Sequence, residues 1–375
     1  MAKKLTPFQK KDRAYKEKKK AEFNAKTYKG EWYTLNSIFG NDWAVFYCLL
    51  GGREAGKSYA AMKHAVVSKL RKPDSFKFYW FRLTDSAVKN LLVNGADKFI
   101  DPDIKRNYNV NTFVKGSTVY TYTPVEIEKP DGSIKIIKKN VKEFCDVLSC
   151  STFYNTKGVG YFDNEYKGEY FIILDEMNRE QSERNTFDIV YNFVNLLENV
   201  ARSTKHNIKV IMIGNTLDEA SDILSAFNFI PDTFGRYKLR NKRCVIDYIM
   251  PSEAYKKRRE GTLADLLMPE ASTFTNEVEI DRTLLVNKRR TIKPQYIVKF
   301  KKTKDTWFTV WNDNIVKPYN GENLQAVPMV RYLDEVYNEE LAKAIRDMFD
   351  ARAFKYTAIS TFKRFQKQLR LIKSK

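Results

Sequence analysis

Trp43-Ala-Val-Phe-Tyr-Cys-Leu-Leu50, running straight into Gly51-Gly-Arg-Glu-Ala-Gly56-Lys57-Ser58, decides how the rest of the chain is read. A short, continuously apolar run ended by two glycines has the character of a strand buried on both faces. The octet behind it satisfies G-x-x-x-x-G-K-[ST], and a helix is expected from Lys57 to about Leu70. Glycines let such a loop curl so that successive backbone N–H groups face phosphates, and the helix start adds its positive end. Lys57 has the reach for the β- and γ-phosphates, and the Ser58 hydroxyl suits Mg2+. The expected nucleotide contacts are therefore Gly51, Gly52, Arg53, Glu54, Ala55, Gly56, Lys57, Ser58 and Tyr59. An ordinary glycine-rich turn can match the pattern by chance. The strand before it and the helix after it favour a P-loop.

Tyr170-Phe-Ile-Ile-Leu-Asp175-Glu176 supplies the other half of such a site: an apolar strand ending in two carboxylates. Strand tips are where α/β sheets place their ligands. Asp175 is the expected Mg2+ ligand, directly or through water. Glu176 is the expected residue to orient the attacking water, which points to a hydrolysing ATPase rather than a kinase. A third strand, Ile208–Ile213, runs through Gly214 to Asn215 and Thr216. Asn215 is the candidate γ-phosphate sensor, and a helix N-cap is the competing reading. Arg202 ends the helix expected over about 187–202. It suits an arginine finger, or a C-terminal cation favoured by the helix dipole. Arg179, Arg184, Lys205 and, in cis, Arg53 compete for the finger role.

Alternation of strands and helices, with Ser75–Phe81 as a further strand followed by a helix from Asp85 to about Val93, means a mostly parallel sheet covered on both faces. Residues 108–150 differ: Val119–Thr123 and Ser133–Ile137 around the turn Pro130-Asp131-Gly132 read as a β-rich insertion. At 375 residues the chain is expected to hold two domains. The boundaries read as a basic flexible tail over 1–30, an ATPase domain over 31–251, a basic linker over 252–290 and a carboxyl-terminal domain over 291–375. In the last, Gln295–Phe300 and Trp307–Trp311 read as strands, and Phe362, Phe365, Leu369 and Ile372 form one stripe of a closing helix.

The formal net charge of +20 points to a polyanionic partner. No segment approaches the roughly 20 apolar residues of a membrane helix, so no membrane role is expected. The amino end lacks an apolar signal core. Four cysteines and two histidines form no metal-spaced pattern and read as reduced thiols. The basic runs Lys256–Arg259, Lys288–Arg290 and Lys299–Lys304 are candidate DNA contacts, against the reading that each is simply solvated. The clusters Tyr79–Phe81 and Trp307–Trp311 read as core.

The constellation resembles the DNA-encapsidation ATPases of small podoviruses, relatives of large terminase motor subunits. The resemblance rests on Gly51-Gly-Arg53-x-x-Gly-Lys-Ser, a second strand ending Phe81-Arg82, and Asp175-Glu176. It continues in Asn-Leu-Leu-Glu-Asn-Val-Ala-Arg202 and a strand ending in Asn215. It implies an ASCE-type P-loop ATPase domain using ATP and Mg2+, plus a small α+β domain resembling a vestigial RNase H-like nuclease. It further implies a homomeric ring, typically a pentamer, acting in the host cytoplasm and transiently at the portal vertex of a prohead. ATP hydrolysis there drives double-stranded DNA through the ring, with the arginine matching Arg202 acting in trans. Dependence on a packaging RNA stays open. A nuclease needs carboxylates converging on two metal ions. The strand Gln295–Phe300 carries none, so nuclease activity is not expected, and the domain is read as gripping DNA or portal. The alternatives are a large terminase with an active nuclease and a basic nucleic-acid-binding protein with a degenerate nucleotide site.

Overall fold

The computed structural model describes residues 28–29, 32–128, 133–157, 166–178, 187–201, 207–215, 221–227, 229–231, 234–267, 296–299, 307–311, 314–318, 330–332 and 339–371. Its chain forms two compact units, one of Met1–Leu217 with Thr233–Glu277 and one of Asp218–Asp232 with Val278–Lys375.

The first unit opens with a short hairpin of β1 (Tyr28–Lys29) and β2 (Trp32–Tyr33). β3 (Phe46–Leu50) leads into the glycine loop and helix α1 (Lys57–Arg71). The strand is shorter than the apolar run, because Ala44 closes a turn onto Asn41 and leaves Trp43 outside the ladder. β4 (Phe76–Arg82) follows, then α2 (Asp85–Ala96) and α3 (Pro102–Tyr108). Regular helical geometry in α2 stops at Val93, with Asn94 and Gly95 left-handed. The sheet is completed by β5 (Asn111–Lys115), β6 (Thr118–Glu128), β7 (Ile134–Ser149), β8 (Glu169–Asp175), β9 (Ile208–Gly214), β10 (Gly235–Leu239) and β11 (Cys244–Tyr248). Helix α4 (Ile189–Ala201) connects β8 to β9.

These nine strands form one sheet in the order β10-β11-β3-β9-β8-β4-β7-β6-β5. From β11 to β7 all neighbours are parallel, and the outer pairs are antiparallel. Continuous burial of Tyr47–Leu50, Tyr170–Leu174 and Val210–Ile213 explains this, since strands covered on both faces have no polar side to offer water. Residues 108–150 extend this sheet. β7 pairs with β6 over most of its length, then enters the parallel part at Asp146–Ser149 beside Tyr79–Arg82. The aromatic strand β4 packs inward, with Trp80 edge-on to Phe99 at 5.4 Å and Phe78 edge-on to Phe144 at 5.9 Å. All four cysteines are buried and free, with Cys48 and Cys244 Sγ atoms 3.9 Å apart.

Past β11 the chain is helical where the sequence suggested a linker: α6 (Glu253–Arg259) and α7 (Leu263–Leu267) belong to the first unit. α6 starts because the Ser252 hydroxyl caps it, accepting from the Tyr255 N–H at 3.1 Å. The rest of that stretch, 268–290, and the tail 1–27 lie outside the described residues.

The second unit contains α5 (Asp222–Ala226) and a five-stranded sheet ordered β15-β12-β13-β14-β16. Its strands are β12 (Tyr296–Lys299), β13 (Trp307–Trp311), β14 (Ile315–Pro318), β15 (Val330–Tyr332) and β16 (Lys355–Tyr356). Helices α8 (Glu339–Asp350) and α9 (Ile359–Leu371) complete it. Phe365 and Leu369 of α9 bury against Phe308, Phe354 and Tyr356, as the apolar stripe requires. Lys367 pairs with Asp222. Among the described residues no helix is long and apolar enough to cross a membrane.

Candidate active site

The glycine loop sits at the carboxyl end of β3 and is anchored there by the Gly51 N–H donating to Gly214 O at 3.2 Å. Two residues in it are left-handed, Glu54 (φ 61) and Gly56 (φ 86). A Cβ on Gly56 would also stand 3.2 Å from the Trp32 ring, so glycine is required there twice over. Lys57 is buried and its ammonium donates to Gly51 O at 2.8 Å and Gly52 O at 2.7 Å. Burial lowers its pKa to about 8, against an opposing pull from Asp175.

β8 brings its acidic tip to the same place. Ser58 Oγ donates to Asp175 Oδ1 at 2.9 Å. Glu176 follows in left-handed backbone (φ 59), a conformation that costs a non-glycine residue energy and concentrates at functional sites. Arg82, at the tip of β4, donates to Asp175 Oδ2 at 2.8 Å and also to Glu176 Oε2. One guanidinium thus holds both carboxylates, and its side chain is only 14% exposed.

Strand order explains the convergence. β9 lies between β3 and β8, so its tip residue Asn215 stands between the loop and the acidic pair. Arg53, Gly56, Lys57, Ser58, Glu176 and Asn215 line one cleft of about 1240 Å³, with Glu54, Ala55 and Tyr59 also on its wall. Gly51 and Gly52 stand behind it as the acceptors for Lys57. Arg202, Thr216, Arg179, Arg184 and Lys205 lie outside the described residues, as do Lys288–Arg290.

Sequence reasoning missed two features. Arg82 enters the resemblance only as the end of its strand, with no role; its place beside β8 gives it one. The run Lys256–Arg259 reads as a DNA-contact or linker stretch, yet Arg258 donates to Glu54 O at 3.0 Å and Arg259 lies 3.3 Å from the Glu54 carboxylate. Among the described residues no cluster of three or more His, Cys, Asp or Glu is placed to hold a metal. The oxygens of Ser58 and Asp175 still suit a hard divalent cation that brings phosphate oxygens with it.

These features define a mixed α/β protein with a large, mostly parallel sheet and a polar cleft at its strand tips. Among solved structures the chain is similar to the Phi-28 gp11 DNA packaging motor, at 15% identity and a TM-score of 0.57, covering 92% of this chain and 99% of that one. It is similar also to the bacteriophage Phi-29 viral genome packaging motor assembly, at 16% identity and a TM-score of 0.58, covering 91% of this chain and 99% of that one. The chain therefore has the fold of phage DNA-packaging motor proteins, in agreement with the resemblance carried by its motifs. No protein-family profile matches the sequence, and no curated protein matches it.

Proposed function

We propose that the chain is an ASCE-type P-loop ATPase whose hydrolysis drives double-stranded DNA into a viral prohead. The 2.9 Å contact between Ser58 and Asp175 carries this reading, because a magnesium nucleotide needs the loop hydroxyl and the acidic strand tip in one place. The single strand β9 between loop strand and acidic strand is the additional strand of that class. Mg2+, when bound with ATP, would neutralise the charge that develops on the phosphates. Ser58 and Asp175 would hold it.

The chain's own residues do the rest. Lys57 moves its donors from the Gly51 and Gly52 carbonyls to the β- and γ-phosphates. Glu176 orients the attacking water, which requires its carboxylate to leave Arg82. Asn215 senses the γ-phosphate. Arg202 meets the transition-state charge across a subunit boundary, and Arg53 remains a cis candidate. The unit works as a homomeric ring, a pentamer by resemblance, on the portal of the prohead in the host cytoplasm, with packaging RNA an open partner.

The second unit is read as a nuclease-like module that grips DNA or portal without cutting. Its order β14-β13-β12-β15, antiparallel except for the last pair, supports an RNase H-like sheet. β12 carries no acidic residue. The carboxylates that follow it in the sequence, Asp305, Asp313 and Glu322, show no partner spacing and lie outside the described residues. Cleavage of plasmid in Mg2+ or Mn2+, abolished by one carboxylate change beyond residue 290, would instead make the chain an active terminase.

The test is ATP turnover with and without double-stranded DNA and portal-bearing proheads. Turnover is expected to rise with both and to vanish in Lys57→Ala. Turnover that survives that change ends this reading and favours a nucleic-acid-binding protein with a degenerate nucleotide site.

A further inference from the structure

Every carbonyl of the glycine loop from Gly51 to Ala55 has a hydrogen-bond donor. Lys57 serves Gly51 and Gly52. The other three are served from outside the loop and its helix. The Tyr255 hydroxyl donates to Arg53 O at 2.7 Å, the Arg258 guanidinium to Glu54 O at 3.0 Å, and the Tyr33 N–H to Ala55 O at 3.0 Å. A trans peptide points its N–H opposite to its carbonyl. Tying carbonyls 53, 54 and 55 outward therefore turns the N–H groups of Glu54, Ala55 and Gly56 the other way. Among the described residues these three amides donate to no backbone carbonyl. A row of unspent, co-directed amides is an anion nest.

The clamp is built firmly. Tyr255 is 3% exposed. The Arg258 guanidinium lies 4.3 Å over the Trp32 ring and 5.6 Å over the Tyr255 ring, two contacts that help fix its direction. Trp32 in turn packs on Gly56. Ile249 N–H donates to Leu50 O at 2.7 Å, which ties the approach to α6 to the strand that feeds the loop. Glu54 keeps its left-handed backbone with Arg259 3.3 Å from its carboxylate.

We propose that Tyr255 and Arg258 of α6, with Tyr33 of β2, are positioning residues that aim three loop amides at the polyphosphate, so that the segment after the sheet is part of the nucleotide site. The proposal rests on the P-loop reading and goes beyond it, because no motif marks these residues. A loop lacking these ties can rotate its 53–54 and 54–55 peptides, which turns carbonyl oxygens toward the anion.

Inorganic triphosphate is the probe, because it has no base or sugar. Its affinity, the ATPase KM and kcat, and the melting temperature are to be measured for the full chain and for Tyr255→Phe, Arg258→Gln and the exposed control Glu260→Gln. Tyr255→Phe and Arg258→Gln are expected to weaken triphosphate binding and raise KM by about two- to tenfold each, the range one lost hydrogen bond allows, with kcat within twofold. Glu260→Gln should change nothing. Unchanged triphosphate affinity in both clamp variants, or a fall in melting temperature alone, overturns the proposal. Lys57→Ala separates the two levels: if it too leaves triphosphate affinity unchanged, the P-loop reading itself has failed.

Discussion

Ser58 Oγ and Asp175 Oδ1 lie 2.9 Å apart although 117 residues separate them in the chain. Under the proposed function the two share a cation, and groups that do so should not act independently. Ser58→Ala and Asp175→Asn are each expected to lower magnesium-dependent ATP turnover, while the double variant should fall well short of their summed effects. A coupling energy of about 0.5–3 kcal/mol in the double-mutant cycle is the expected result, and additivity would separate the two residues.

Glu176→Gln should bind nucleotide and nearly lose hydrolysis. The amide keeps the shape but not the charge that orients water, and such a group is worth about 10²–10⁴ in rate. Nucleotide affinity and single-turnover rate, measured on one preparation, distinguish this from a folding defect.

Arg202→Ala is expected to lose turnover with its own nucleotide site intact. Mixing it with Glu176→Gln subunits should restore part of the activity at hybrid interfaces, where one copy brings the arginine and the next the glutamate. Titrating one variant against the other reads this directly; absence of recovery removes the trans assignment.

His64 gives the fold a pH signature. It packs 5.0 Å from Phe171 and 4.8 Å from Phe39, and burial, aided by Lys209, lowers its pKa to about 4. The unfolded imidazole takes a proton below its ordinary 6.5, and the folded one does not until about 4. Stability from this group is therefore present above pH 6.5 and lost as pH falls toward 4, by at most about 3 kcal/mol. Urea unfolding at several pH values should show a shallower acid loss in His64→Leu than in the parent chain.

Asp247 is fully buried beneath three donors: Arg236 Nε at 2.6 Å, Arg236 Nη2 at 2.8 Å and the Tyr33 hydroxyl at 2.9 Å. Arg236 also reaches Ser37 O and Oγ, both at 2.8 Å. Asp247→Ala leaves a guanidinium without its counter-charge and should destabilise the unit by about 3–5 kcal/mol. Thermal unfolding of this variant beside the parent measures it.

The parallel core was legible because its strands are apolar throughout and its glycine loop falls between an apolar run and a helix. Strands β3, β4, β8 and β9 lie within a few residues of their apolar runs. β10 and α3 escaped, since Gly235–Leu239 is half-exposed and carries two basic residues, and Pro102–Tyr108 is too short for a period. β7 was read as five residues but runs to sixteen, because its first half is lysine-rich and exposed and only its end is apolar. Within the site, Gly51–Ser58 and Asp175–Glu176 announce themselves by pattern. The roles of Arg82, Tyr255 and Arg258 do not, because an arginine holding carboxylates of a distant strand, or a side chain acting through a backbone carbonyl, needs no fixed spacing. Their roles depend on which strands become neighbours, and that is set by the whole sheet.

The sealed thiols have a practical consequence. Cys48, Cys145, Cys150 and Cys244 are all buried, and burial pushes the first three thiols up, away from the reactive thiolate. A maleimide dye at neutral pH thus meets almost no background. One engineered cysteine on the exposed side of α6, as in Lys257→Cys, becomes a solitary optical reporter, able to watch that helix as nucleotide is added.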